Sequence, residues 1–145
     1  MGSEREPGAQ GEASDTLPLV AISPARDEER TLPRTIEAMV AQTRRPLRWV
    51  IVDDGSSDAT ADIVKAACAE HDWIRLVQRT DRGHRRLGGG VIQAFDAGLE
   101  SIDVPYNYVA KVDVDLEFPP RYLEDLMGYF EADPKLAAAS GKVFL

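Results

Sequence analysis

One cysteine, Cys68, stands in the 145 residues, so no internal disulfide can form and a disulfide-stapled scaffold is excluded. Cys68 falls in an apolar helical pattern with Ile63, Val64 and Ala67 and is expected to act as a small core side chain. There are two histidines, His71 and His84, with no cysteine or second histidine at ligand spacing, so a zinc site is not expected. Basic charge is in deficit: 25 acidic against 17 basic side chains give a formal charge of -8. Phosphate-backbone binding wants clustered Lys and Arg, so nucleic acid is excluded as a general partner. A small anion held through a metal ion is not. No run approaches the roughly 20 apolar residues of a membrane span. Residues 1–16 are polar and lack the apolar stretch of a signal peptide; they read as a disordered leader. Glu6 stands where a myristoylated Gly2 would need Ser or Thr. The expected location is the cytoplasm, with the membrane surface possible for a full-length protein.

Residues 17–145 form one domain's worth of chain. Leu17–Ser23 is a short apolar run suited to a strand buried on both faces. Thr31 is placed to cap a helix whose stripe is Leu32, Ile36, Met39 and Val40, with Pro33 in its first turn. Trp49–Asp53 predicts a second strand, and Asp58 caps a helix running to about Glu70. Ile74–Gln78 predicts a third strand. A Gly- and Arg-rich loop spans 79–90, and a helix with Val91, Phe95, Leu99 and Ile102 on one side follows. Tyr108–Val112 is a fourth strand. Pro119 and Pro120 open a helix with the stripe Leu123, Leu126, Met127 and Phe130, and Leu136–Leu145 reads as a last strand. Strands alternating with helices mean right-handed βαβ units: an α/β fold with a mostly parallel sheet covered on both faces. In such sheets ligands bind beyond the carboxyl ends of the strands.

Two acidic clusters stand at those ends, Asp53-Asp54 after the second strand and Asp113-Val114-Asp115 after the fourth. In extended chain, residues i and i+2 point to the same side, so Asp113 and Asp115 can aim two carboxylates at one point. Two hard oxygen ligands suit Mg²⁺ or Mn²⁺, which take their remaining ligands from water and phosphate. Such a metal bridges a diphosphate and stabilises it as a leaving group. A solvated acidic turn is the bland alternative. Asp53-Asp54-Gly55-Ser56 is made of ordinary turn formers, yet adjacent carboxylates repel unless something uses them, such as a base N–H or a ribose hydroxyl. The only basic concentration is the loop with Arg79, Arg82, His84, Arg85 and Arg86 before Gly88-Gly89-Gly90. Arg82, Arg85 and Arg86 are the diphosphate candidates, because guanidinium groups bind phosphate bidentately and glycines let a ligand approach backbone N–H groups.

In order and spacing, these residues together resemble the family 2 glycosyltransferases, which have the GT-A fold. The resemblance runs from Leu19 to Leu145. It is carried by Val20–Glu28, by Gln42-Thr43, by Val50–Thr60, by Arg82-Gly83 through Ala94–Leu99, and by Asp113-Val114-Asp115 with the trailing Pro120. It implies a GT-A, Rossmann-like sheet and transfer of a sugar from a nucleotide-diphosphate sugar to an acceptor hydroxyl, on a glycan or lipid carrier, as in polysaccharide biosynthesis. The transfer it implies is inverting and divalent-metal-dependent. It also implies that Pro24, Ala25, Arg26 and Glu28 hold the nucleotide, that Asp53 and Asp54 contact the base, that Asp113 lies near the ribose, and that Asp115, with Asp113, binds the metal.

Asp96 departs from the family's frequent Asn at a supporting position. A second departure weighs more: no carboxylate after Asp115 matches the family's catalytic base. Glu117, Glu124, Asp125, Glu131 and Asp133 all fall in or beside the last helix. The chain is therefore expected to supply the donor site, without the base, as a piece of a longer domain. A dinucleotide oxidoreductase is excluded because Ser23–Asp27 has no glycine where G-x-G-x-x-G belongs, and a sugar-nucleotide pyrophosphorylase would also put a Gly-rich signature there. Two rivals stay open: a non-catalytic nucleotide-binding module, and a phosphoacceptor receiver domain.

Overall fold

The computed structural model describes residues 18–80 and 89–141. Four parallel strands, β1 (Leu19–Ala25), β2 (Arg48–Asp54), β3 (Ile74–Arg79) and β4 (Tyr108–Lys111), form one sheet in the order β3-β2-β1-β4. Between and after them lie α1 (Leu32–Val40), α2 (Thr60–Glu70), α3 (Gly89–Glu100) and α4 (Tyr122–Ala132).

The strand order dictates which helix covers which face. Right-handed crossovers from β1 to β2 to β3 march one way across the sheet and place α1 and α2 on one face. The crossover from β3 back to β4 runs the other way, so the same handedness puts α3 on the opposite face. The core divides accordingly. Ala21, Trp49, Ile51 and Ile74 pack with Leu32, Met39, Val64, Leu123 and Met127, so α4 joins α1 and α2. Ile22, Val50 and Val52 pack with Ala94, Phe95, Leu99 and Ile102 of the α3 side. Alternation along β1 and β2 thus feeds both layers, as the uninterrupted apolar runs require. The order also excludes the receiver-domain reading, whose sheet runs 2-1-3-4-5.

Several boundaries differ from the expectation. β1 runs two residues past Ser23, so Pro24 and Ala25 lie in the strand, paired with Val52 and Asp53. A proline is tolerated in this central strand for a geometric reason. The Ile22 carbonyl accepts the Val112 N–H on the β4 side, and Pro24, two residues on, faces the same way, past the end of β4. Thr31 makes no side-chain cap; its hydroxyl donates to Glu28 Oε2 instead. Val40 and Val91 are exposed rather than part of their stripes, and buried Thr35 takes a place on the α1 stripe. α3 starts at Gly89, inside the expected glycine loop. Leu136–Gly141, expected as strand, has no strand geometry; 142–145 lie outside the described residues, as does the leader 1–16. Cys68 is half-buried against the core, and burial pushes its thiol pKa up, partly countered by Arg75. No helix among the described residues is long and apolar enough to cross a membrane.

Candidate donor site

The turns after β1, β2 and β4 all emerge at the carboxyl edge of the sheet. The direction of chain progression reverses between β1 and β4, which makes this the topological switch point of the sheet, where ligands of such folds bind. Two of the turns are laced together. Asp27 adopts a left-handed conformation (φ 54°), which Asp tolerates better than most residues. Its N–H donates to Ser56 Oγ at 2.9 Å, and its carboxylate accepts from the Ser57 N–H at 2.7 Å. The Glu28 N–H donates to Thr60 Oγ1 at 2.9 Å. Glu29 accepts the Ala59 N–H at 3.1 Å and gives its own N–H to Asp58 Oδ2 at 3.2 Å.

Asp58 therefore does more than cap. Ala59 occupies the capping position of α2, and Asp58 reaches past it to accept the Thr60 N–H at 2.9 Å while also holding the β1 turn. Burial opposes its charge, but donors from Thr60 and Glu29 outweigh that and hold its pKa below the ordinary 3.8. A carboxylate depressed in the folded state stabilises most above its unfolded pKa and loses that contribution as pH falls through the folded value. Asp58→Asn keeps an acceptor oxygen and loses the charge. The wild-type chain is expected to be the more stable at neutral pH, with the gap shrinking as the pH falls below the ordinary carboxylate pKa. Urea midpoints of the two proteins across that range measure it; a constant gap would show that the charge contributes nothing.

The four candidate carboxylates sit differently. Asp53 is buried, and one of its oxygens accepts the Ser56 N–H at 3.0 Å, closing the turn in which Gly55 has φ 78°. Asp54 is partly exposed at the carboxyl end of β2, on the side of β3. Its Oδ1 pairs with Arg79 at 3.2 Å, and a side chain at Gly90 would stand 3.7 Å from its Oδ2. It thus lies between a guanidinium and the positive first turn of α3. Arg79 belongs to β3, not to the loop. Asp113 and Asp115 lie beyond β4 and are exposed, alternating with buried Val112 and Val114. Both carboxylates are thus on the outer side, although the chain turns at 114–115 and is not extended there. Asp113 is ion-paired with Lys111, and among the described residues no donor reaches Asp115. No cluster of three metal-ligating side chains occurs among the described residues. A pair of outward carboxylates still fits a hard cation that keeps waters and takes phosphate oxygens.

Arg26 and Glu28 lie in the turn after β1, half-buried. Arg82, Arg85 and Arg86 lie outside the described residues. A hollow of about 170 Å³ bounded by Arg48, Arg75 and Asp103 lies at the opposite, amino edge of the sheet, away from the acidic turns.

Helix α1 contributes one residue that the motif reading passed over, Thr35, and the chain just after it supplies Gln42 and Thr43. The buried Thr35 hydroxyl lies 2.8 Å from both the Val114 and the Leu116 carbonyls. Gln42 Nε2 donates to the Ala38 carbonyl at 3.1 Å and the Pro119 carbonyl at 2.8 Å, and its Oε1 accepts the Leu123 N–H at 2.9 Å. The Thr43 N–H donates to the Pro120 carbonyl at 2.8 Å. Gln42-Thr43 thus anchors the segment that trails the acidic pair. A polar residue on an otherwise apolar helical stripe was the available signal for Thr35.

A parallel sheet with this strand order, with acidic turns at its carboxyl edge, defines an open, doubly wound α/β architecture. The family profile of glycosyl transferase family 2 matches residues 20–143, and the chain belongs to that family. It is 30% identical over 121 residues to the undecaprenyl-phosphate 4-deoxy-4-formamido-L-arabinose transferase of Pectobacterium carotovorum subsp. carotovorum (strain PC1), an alignment covering 79% of this chain and 34% of that protein. It is 29% identical over 120 residues to the poly-beta-1,6-N-acetyl-D-glucosamine synthase of Staphylococcus aureus (strain COL), covering 79% and 26%. The chain therefore spans about a third or less of the length of these curated relatives. Its fold matches the mannosyltransferase PcManGT from Pyrobaculum calidifontis, solved with GDP-Man and Mn²⁺, with a TM-score of 0.69 at 22% identity, over 83% of this chain and 34% of that one.

Proposed function

We propose that this chain provides the donor site of a glycosyltransferase, which transfers a sugar from a nucleotide-diphosphate sugar to a hydroxyl of a glycan or lipid carrier. The observation that carries the proposal is that Asp54 ends β2 and Asp113 and Asp115 follow β4, all at the carboxyl edge of the sheet, in a chain of this family. The nucleotide lies along the β1 turn, with Pro24, Ala25, Arg26 and Glu28 beside it and Asp53 and Asp54 toward the base. Asp113 lies near the ribose. Asp115, with Asp113, holds a Mg²⁺ or Mn²⁺ ion, and a bound ion there supplies positive charge to the departing diphosphate. Support for sugar transfer comes from the relatives, one named as an undecaprenyl-phosphate sugar transferase, whose acceptor would be a phosphate oxygen, and one as a polysaccharide synthase. Support for the donor and metal comes from the Mn²⁺ and GDP-Man bound by the structural neighbour.

In the inverting reaction the acceptor oxygen attacks the anomeric carbon as the carbon–oxygen bond to the diphosphate breaks. The acceptor proton passes to a general base. That base is not assigned to any described residue. Beyond Asp115, Glu117 pairs with Arg34, Glu124 and Asp125 pair with Arg121, Glu131 pairs with Arg44, and Asp133 accepts the Lys135 N–H.

Calorimetry with UDP and with GDP, each with Mn²⁺ and each in EDTA, tests the donor reading. At least one nucleotide is expected to bind the 145-residue chain at least about tenfold more tightly with metal, because a dianionic diphosphate beside two carboxylates needs a cation between them. Equal affinity in EDTA would remove the metal assignment, and no binding of either nucleotide would remove the donor site.

A further inference from the structure

We infer that Thr35, which touches neither metal nor nucleotide in the reading above, positions the acidic pair and thereby sets metal-dependent nucleotide affinity. The inference rests on the donor-site reading and goes beyond it, to the device that holds the two carboxylates outward.

After Lys111 the chain leaves the sheet. The Val112 N–H still donates to the Ile22 carbonyl, and the chain then turns at 114–115 instead of continuing the ladder. A segment without a ladder is free to twist, and a twist of one residue exchanges inward for outward side chains. Here two features oppose it. Val112 and Val114 are buried, 7% and 3% exposed, and act as apolar pegs. Between and beyond them the Thr35 hydroxyl sits 2.8 Å from the carbonyls of Val114 and of Leu116, so one proton serves two acceptors on either side of Asp115.

Thr35 is fully buried on the face of α1 that also carries Leu32 and Met39. A hydroxyl in that apolar setting is costly unless bonded, and the two carbonyls are left poorly satisfied without it. Gln42, just past the C-terminus of α1, also grips this stretch, at Pro119 and Leu123. The stretch between Val112 and Leu123 is thus held at two points, by Thr35 of α1 and by Gln42 after it, and the Thr35 clamp is the one that brackets Asp115.

Thr35→Val keeps the side-chain shape and removes the donor. Thr35→Ser keeps the donor. With the nucleotide that wild type binds, Thr35→Val is expected to lose about tenfold in Mn²⁺-dependent affinity, with affinity in EDTA unchanged. Thr35→Ser is expected to stay within about threefold of wild type. Amide hydrogen exchange without ligand reads the clamp directly: exchange across 114–118 is expected to quicken in Thr35→Val while β1 and β2 stay protected. Thr35→Cys, a weak donor of similar size, is expected to fall between the two and covers the case in which Thr35→Val does not fold.

Wild-type Mn²⁺-dependent affinity in Thr35→Val would overturn the proposal alone, as would equal losses with Mn²⁺ and in EDTA, which mark a general folding defect. If Thr35→Val does not fold, wild-type affinity in Thr35→Cys overturns it in the same way. Wild-type protein that binds nucleotide equally with and without metal would overturn the metal assignment and this proposal together.

Discussion

Asp115→Asn is expected to abolish most of the metal-dependent part of nucleotide binding, a loss of tenfold or more, while Asp113→Asn costs less. The two residues share a motif but not an environment. Asp113 is already paired with Lys111, so a cation arriving there competes with an ammonium. Asp115 is exposed, and among the described residues no ion pair competes with a hard cation there. An amide oxygen is a poorer ligand than a carboxylate for Mg²⁺ or Mn²⁺, and the variant also lacks the negative charge that attracts them. Isothermal titration of wild type and both variants, with Mn²⁺ and in EDTA, measures the difference. The stated roles fail if Asp115→Asn binds the metal–nucleotide complex as wild type does, or if Asp113→Asn suffers the larger loss.

Gly98→Val is expected to cost about 3 kcal/mol or more of folding stability, and Gly98→Ala about 1–2 kcal/mol. A Cβ at Gly98 would stand 2.7 Å from Ile22 Cγ2 and 2.9 Å from Val52 Cγ2. Both neighbours are fully buried and β-branched, with one strongly preferred χ1 each, so neither can swing away. Overpacking of this kind costs about 1–3 kcal/mol for a methyl-sized group, against which better helix propensity returns at most about 1 kcal/mol. The melting point of Gly98→Val should fall by about 10 °C, read by circular dichroism. Melting of Gly98→Ala at or above the wild-type temperature would show that α3 does not sit this close to β1 and β2. The family stretch Ala94–Leu99 therefore has a packing explanation. Gly98 and Ala94 let the helix approach the sheet, and the N-terminal turn of that helix comes to lie beside Asp54.

The elements were legible because their signals are local. The apolar runs of β1 and β2 and the stripes of α1 and α4 arise from periodicity along a few residues. Where the reading erred, a partner distant in sequence had decided. β1 extends through Pro24 because β4 has ended beside it, which no property of Pro24 announces. Thr31 loses its capping role to Glu28, and Asp58 gains a second partner in Glu29 across 29 residues of chain. Val40 and Val91 fit helical stripes by spacing, yet no element packs against them closely enough to bury them.

The sequence by itself determined the family, the alternation of strands and helices, and the position of each acidic pair at a strand end. These follow from residue type and spacing within short windows. Only the tertiary structure decided which carboxylates are spent on the fold and which are left exposed at the carboxyl edge of the sheet. Asp27, Asp53 and Asp58 accept hydrogen bonds from the turns they build, Asp54 meets Arg79, and Asp115 is left with its charge toward solvent. Side-chain identity is the same in every case. A carboxylate's availability depends on which donors the fold brings within about 3 Å, and those donors come from other turns and helices of the chain.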